Sequence, residues 1–226
     1  VRAGYLYNET DYARTNLLDL TSHNAQLEAL YKFRDKTAGL ATVLGGVQES
    51  DQVDDEATYV AARLGLQTHQ TDRLLFKAGV GEQHYERPEG GGAEDRFHFD
   101  GQATWTATDK TQVQLEGRNG MQLSSVSRGN VVDYTVVRLG IAHRVNALLT
   151  LTASGTYRID DYEDPVAEGD QLVSRKDDGA ALAFRADYLI PSMYLRLFAE
   201  ASYESIDSTV RDYDVARATA GVAFER

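Results

Sequence analysis

The chain has 226 residues, with 23 Lys and Arg against 35 Asp and Glu, a formal charge of −12 and no cysteine. A pI near 4.8 with no offsetting basic patch argues against nucleic acid as a partner. The missing cysteines exclude disulfides, thiolate metal sites and cysteine nucleophiles. No run approaches the roughly 20 apolar residues of a membrane helix. The mean hydropathy of −0.43 still allows a membrane β-barrel, in which only alternate residues face lipid. These residues contain no signal-peptide pattern, as expected of mature sequence or of a soluble protein.

Period-two alternation, which sends successive side chains to opposite faces of a strand, recurs along the whole chain. Val1 to Asn8 reads as a first strand with Ala3, Tyr5 and Tyr7 on one face. After a polar loop to about Ser22, a second strand sets Ala25, Leu27, Ala29, Tyr31 and Phe33 against Gln26, Glu28 and Lys32. A turn at Arg34–Thr37 leads to Ala38–Val47, apolar on both faces, whose facing stays open. The acidic loop Glu49–Glu56 precedes a strand with Val60, Ala62, Leu64 and Leu66 outward and Arg63 and Gln67 inward. His69–Asp72 turns into a strand with Leu74, Phe76, Ala78 and Val80 against Lys77, and a Pro/Gly loop runs from Glu86 to Asp95.

The sixth strand alternates Phe97, Phe99, Gly101, Ala103 and Trp105 with Arg96, His98, Asp100, Gln102 and Thr104. Thr108–Lys110 turns it into Val113, Leu115 and Gly117 against Gln112, Gln114, Glu116 and Arg118. The eighth strand sets Val137, Leu139 and Ile141 against Arg138, and the ninth sets Leu149, Leu151, Ala153, Gly155 and Tyr157 against three threonines, Ser154 and Arg158. An acidic loop from about Asp160 to Asp178 follows. The last three strands carry Leu182, Phe184, Ala186 and Tyr188, then Leu195, Leu197, Ala199, Ala201 and Tyr203, then Ala216, Ala218, Ala220, Val222 and Phe224 outward. Their opposite faces carry Arg185, Asp187, Arg196, Glu200, Glu204 and Arg217.

About six long loops alternate with five short turns. The runs approach the roughly 9–11 residues of a tilted spanning strand, about twice the usual strand of a soluble sheet. These features predict an all-β fold. It is a transmembrane antiparallel up-and-down β-barrel of about 12 strands, with short periplasmic turns and long extracellular loops, one outer-membrane domain over residues 1–226. Trp105, Tyr31, Phe33, Tyr188 and Tyr194 near the short turns, and Tyr157, Tyr203 and Tyr213 near the long loops, read as two aromatic girdles.

From Val131 onward the runs VVDYTVVRLGIAHRVNALLTLTASGTYRIDDYED, RKDDGAALAFRADYLIPSMYLRLFAEASYESIDS and RDYDVARATAGVAFER resemble the C-terminal strands of the outer-membrane family called putative beta-barrel porin 2. The resemblance rests on YRIDDYED, YESIDS, RKDDGA and RDYDVARATAGV, and covers roughly the last hundred residues well. It implies a barrel accompanying exopolysaccharide synthesis and export, and it carries over no catalytic residues. The chain differs from the family's usual pattern in being shorter and in ending Phe224-Glu225-Arg226 instead of on an aromatic residue.

Arg138, Arg158, Arg185, Arg196 and Arg217 share the inward face of the last strands. They are candidate lumen-facing selectivity residues, because guanidinium groups pair planar carboxylates in two-pronged fashion. The same face offers Asp187, Glu200 and Glu204 as structural counter-ions, so a paired network is the alternative. The acidic loop, with Asp160, Asp161, Glu163, Asp164, Glu168, Asp170, Asp177 and Asp178, is read as a solvated loop. Calcium or bridged lipopolysaccharide phosphate is its other reading. His23, His69, His84, His98 and His143 show no metal-ligand spacing, and no nucleophile-elbow motif accompanies His98 near Asp100. No enzyme activity, cofactor or metal is therefore expected. The expected partners are outer-membrane lipid and lipopolysaccharide, with saccharides as candidate solutes. The expected function is a Gram-negative outer-membrane porin for saccharides or small hydrophilic solutes, linked to exopolysaccharide export; a non-conducting structural barrel is the alternative.

Overall fold

The computed structural model of the chain describes residues 1–10, 20–50, 55–86, 92–124, 131–168 and 171–224. Nine strands come first: β1 (Arg2–Thr10), β2 (Leu20–Arg34), β3 (Thr37–Ser50), β4 (Asp55–Thr71), β5 (Leu74–Glu86), β6 (Ala93–Thr108), β7 (Thr111–Leu123), β8 (Val131–Arg144) and β9 (Leu149–Tyr162). A small hairpin of β10 (Val166–Glu168) and β11 (Gln171–Val173) precedes β12 (Lys176–Ile190), β13 (Leu195–Ser208) and β14 (Tyr213–Phe224). The hairpin stands apart, and the other twelve strands form one sheet in chain order, each antiparallel to the next. This is the up-and-down meander of a transmembrane barrel. β1 and β14 end the strand order, and no register joins them among the described residues.

The sheet curls. Lys77 Nζ on β5 lies 2.8 Å from Glu28 Oε2 on β2, although two strands separate them and a flat sheet would hold them about 14 Å apart. Leu123 N on β7 donates to Gln48 Oε1 on β3 at 2.9 Å, a still longer reach across the concave side. Outside, the alternation leaves Leu27, Val43, Leu64, Phe97, Leu182 and Phe184 half or more exposed. A soluble monomer rarely leaves so continuous an apolar band open to water; a barrel wall presents it to lipid. The twelve sheet strands are 9 to 17 residues long, and all but β1 exceed the roughly 9–11 needed to cross.

That excess length corrects the loop pattern. The acidic loop Glu49–Glu56 shrinks to four residues between Ser50 and Asp55, and only four separate β13 from β14. The turns at 145–148 and 191–194 are as long, so the alternation of long and short connections holds on average and not without exception. The acidic stretch from Asp160 to Asp178 is largely strand: Asp160 and Asp161 end β9, Asp177 and Asp178 begin β12, and Asp170 lies outside the described residues. β3 acquires a definite facing, with Ala38, Leu40 and Thr42 buried inward and Val43 half exposed outward.

Three turns have two residues each: Asp35-Lys36, Asp72-Arg73 and Asp109-Lys110. The mirror-image turns favoured in two-residue hairpins need positive φ, which glycine supplies best. None of these residues has positive φ. The ladders beside them instead shift register just before the turn, between Lys32 and Arg34, His69 and Thr71, and Thr106 and Thr108. Each turn is also fastened to the next hairpin. His69 N donates to Lys36 O, Thr106 N to Arg73 O and Arg144 N to Lys110 O at 2.7–2.8 Å. Lys36 reaches Asp72 at 3.0 Å and Arg73 reaches Asp109 at 3.6 Å.

Candidate functional site

The concave face is the functional candidate, because the convex face is given over to lipid. Its middle is a charge network. Arg63 Nη1 on β4 donates to Asp100 Oδ1 at 2.6 Å and lies 3.3 Å from His98 Nε2, both on β6. The Glu28–Lys77 pair sits nearby, with the carboxylate largely buried. Opposite signs held across one or two strands neutralise charge that the confined lumen solvates less well than bulk water.

The five arginines singled out in the sequence do not form one uniform stripe. Arg158 Nε donates to both oxygens of Asp160 at 2.7 and 2.8 Å, and its guanidinium lies 4.8 Å from the Tyr134 ring centre. Arg185 forks onto Asp187 with two 2.9 Å bonds, reaches Glu200 at 3.5 Å and covers the Phe198 ring at 4.4 Å. Arg217 lies 3.7 Å from Glu204. Arg196 stands near the short-turn end of β13, opposite Leu189 and Ala223. Arg138 differs. It pairs in register with Glu116 on β7 and Thr156 on β9, yet makes no ion pair among the described residues. It lines a cleft of about 220 Å³ with Gln112, Gln114, Glu116, Thr152 and Ser154. The Gln114 amide is bonded to the Glu116 carboxylate, which occupies Glu116 with a neighbour other than Arg138. Arg118, two residues above Glu116, also lacks a carboxylate among the described residues and lies 6.0 Å from the Tyr134 ring centre.

The outer mouth holds a feature the alternation did not reveal. The β6–β7 ladder pairs residues from Thr108↔Thr111 up to Asp100↔Arg118 and stops there. β7 keeps pairing with β8 to Leu123↔Val131, and β8 with β9 to Val132↔Tyr162, so among the described residues the wall parts between β6 and β7 while the β7–β8 edge stays joined to β9. That edge leans into the lumen, where Met121, Leu123 and Val131 are buried against Ala57 and Tyr85, with Tyr59 packed beside them. These three belong to the face that points to lipid lower in the same strands; at the tip it is turned against the inner wall. Tyr59 and Tyr85 stack with ring centres 6.3 Å apart. Tyr85 donates to Gln48 at 3.0 Å, and Tyr59 donates to Asn24.

Amide side chains replace the missing ladder. Phe99 N donates to Asn119 Oδ1 at 2.6 Å, and Asn119 Nδ2 donates to Phe97 O at 2.8 Å. Gln83 holds both backbone groups of Met121, receiving its N–H at 3.1 Å and donating to its carbonyl at 3.3 Å. Arg96 clasps the tip from β6, reaching Asp133 at 3.1 Å and Glu163 at 2.9 Å. Gly120 makes the close approach possible: a Cβ there would lie 3.0 Å from the Tyr134 hydroxyl and 3.1 Å from Gln83 Oε1. The continuing alternation of Gly81, Gln83 and Tyr85 in β5 was the available signal for the inner wall; nothing in the spacing signals the tuck.

At the other side of the mouth, Arg175 forks onto Asp177, which also accepts from Ser208 Oγ at 2.5 Å, with Tyr162 covering the guanidinium at 4.7 Å. Part of the acidic stretch is therefore internally paired. Among the described residues no group of three or more His, Asp or Glu side chains could hold a metal ion. All eight girdle aromatics, Trp105, Tyr31, Phe33, Tyr188, Tyr194, Tyr157, Tyr203 and Tyr213, are exposed. Tyr213 departs from the girdle, because its register partner Ile206 belongs to the inward-facing set of β13.

The family model described as putative beta-barrel porin 2 matches residues 19–226, far beyond the C-terminal motifs. Solved structures to which the chain is similar include OmpT, an outer membrane protein of Vibrio cholerae folded in vitro. It is 13% identical, with 97% of this chain covering 91% of that chain at a TM-score of 0.45. The L8 loop-deletion variant of the same Vibrio cholerae protein is 11% identical, with 98% and 96% covered and a TM-score of 0.46. No curated protein matches the chain.

Proposed function

We propose, for a chain that belongs to the putative beta-barrel porin 2 family and resides in the outer membrane, a channel for saccharides or other small hydrophilic solutes, working beside exopolysaccharide export. The observation that supports this reading is the polar cleft around Arg138. Amides, hydroxyls and one carboxylate line it beside the apolar Gly140, Ile141 and Ala142, a mixture that suits a hydroxyl-rich solute with C–H faces. The Arg138 guanidinium, with no ion pair among the described residues, is available to a carboxylated sugar. Lipid and lipopolysaccharide are the proposed partners of the outer face. The reading gives no residue a catalytic role.

Planar-bilayer recording tests it. The refolded protein is expected to open steady channels that hexuronate oligosaccharides block. Arg138→Ala is expected to weaken that block about tenfold or more, since a charge-assisted hydrogen bond contributes about 1.5–3 kcal/mol. A folded barrel that stays silent instead supports the second reading, a non-conducting structural barrel. That reading is favoured by the β7–β8 tip packed in the mouth.

A further inference from the structure

We propose that the lumen selects anions over cations, against the chain's own charge of −12, and that Arg118 and Arg138 set the preference. The inference deepens the channel reading and rests on it. Both arginines have the inward parity of their strands and are exposed there. They stand on adjacent strands two residues apart in height, because Arg118 pairs with Val136 and Arg138 with Glu116. Each faces a carboxylate that another group has taken. Asp100, in register with Arg118, accepts from Arg63 at 2.6 Å. Glu116, in register with Arg138, accepts from the Gln114 amide. Neither arginine makes an ion pair among the described residues. Beyond Val136, Arg158 is level with Arg118 but is spent on both oxygens of Asp160.

Other inner-wall charges cancel close to where they stand. Lys77 meets Glu28 at 2.8 Å, and Arg217 lies 3.7 Å from Glu204. Arg185, with Arg196 acting on the same group, offsets Asp187 and Glu200. Part of the chain's negative surplus stands outside the lumen altogether. Asp161, Asp178, Asp207 and Asp214 take the outward parity of β9, β12, β13 and β14, so these outer strand ends turn their carboxylates away from the path of a solute. An ion in the lumen thus passes paired charges on these walls and unpaired guanidiniums on β7 and β8. The field of a close pair dies away within a few ångströms, whereas that of an unpaired charge reaches the axis. One net positive charge about 7 Å from the ion's path in water favours an anion over a cation several-fold.

The zero-current potential of the refolded chain, in a planar bilayer across a KCl gradient, reads the preference directly. Its sign is expected to report a several-fold preference for chloride with the dilute side at about 0.1 M, weakening as both sides approach about 1 M and the Debye length falls to about 3 Å. R118Q/R138Q is expected to abolish or invert the preference, because it removes two cations and leaves Glu116 behind. R118Q and R138Q singly are each expected to take part of that shift. R118K/R138K keeps both charges and is expected to keep the native sign. Native channels that prefer potassium, or that show no preference, overturn the inference and leave the channel reading standing. So does R118Q/R138Q with the chloride preference intact. A folded, heat-modifiable barrel that never opens removes the channel reading and this inference with it.

Discussion

The β12–β13 hairpin and the β6–β7 hairpin begin from the same pattern and end differently. β12 and β13 stay in register over their whole length, from Ile190↔Leu195 to Asp177↔Ser208. β6 and β7 part at Asp100↔Arg118. Both second strands alternate near their short turns, Leu195 to Tyr203 on β13 and Val113 to Gly117 on β7, and lose the pattern toward their outer ends, where Ser205 and Asp207 take the outward parity of β13 and Asn119 takes that of β7. What differs is the chemistry at those ends. In β12 and β13 the inner-face groups pair with each other, as Asp177 does with Ser208. In β6 and β7 an amide takes the rung instead. Asn119 offers an acceptor and a donor where a backbone would, and Gln83 and Gln48 wait on the opposite wall for the strand that leaves. Alternation therefore fixes which way a side chain points relative to its neighbours, and the polar groups near the mouth decide which surface it meets.

The comparison can be broken most forcefully in the intact wall. Phe184→Arg places a charge on the lipid face of β12 and is expected to cost about 2–4 kcal/mol near the bilayer midplane, read as a lower urea midpoint for unfolding from vesicles. Gly81→Ala is expected to cost about 1–3 kcal/mol in the same assay, because the new Cβ would collide with the Ala62 carbonyl, backbone that cannot swing away. Asp100→Asn strips Arg63, whose side chain is 15% exposed, of its carboxylate at the last rung before the seam. The expected loss is about 1–3 kcal/mol, and Asp100→Glu should restore part of it.

The smallest effect lies at the turns. The Lys36 ammonium bonded to Asp72 holds that carboxyl below its ordinary range. A lowered folded pKa contributes stability that is present above the unfolded value near 3.9 and lost as pH falls below it. The stability of the native barrel should therefore decline slightly more on acidification than that of Asp72→Asn, with no difference between them in the slope above about pH 5.

Much of the fold was legible because a barrel wall has two unlike solvents, and each residue declares its side by polarity. Leu182, Phe184, Val137 and Leu139 sit where their parity puts them. β3 was illegible because Leu40 and Leu44 are apolar in the lumen too, packed where the curl is tight. The pairing of Arg185 with Asp187 and Glu200 was within reach of the sequence, since all three share a face of adjacent strands. The solitude of Arg138 was not, because Glu116 stands opposite it and only geometry shows the Gln114 amide engaging that carboxylate. Met121 and Leu123 have the parity of lipid-facing residues, and an apolar inner wall accepts the same side chains as lipid does. The aromatic reading of Tyr213 failed for a related reason: position near an outer end does not specify a face.

The chain of contacts at the short turns acts as a check on alignment. A slip of one residue between strands turns the charged face to lipid and is heavily penalised. A slip of two keeps every side chain on its proper face, so the hydrophobic pattern does not detect it. Within a hairpin the turn forbids such slips, but β3–β4 and β5–β6 are joined at the far end by longer connections that leave more freedom. Lys36 and Asp72 span the β3–β4 junction, and Arg73 and Asp109 span the β5–β6 junction. A two-residue offset would carry each cation about 7 Å from its carboxylate and misplace the adjoining backbone bond. Ion pairs this exposed add little to stability; in this position they distinguish the correct alignment from the one error that polarity tolerates, as each hairpin joins the one before it.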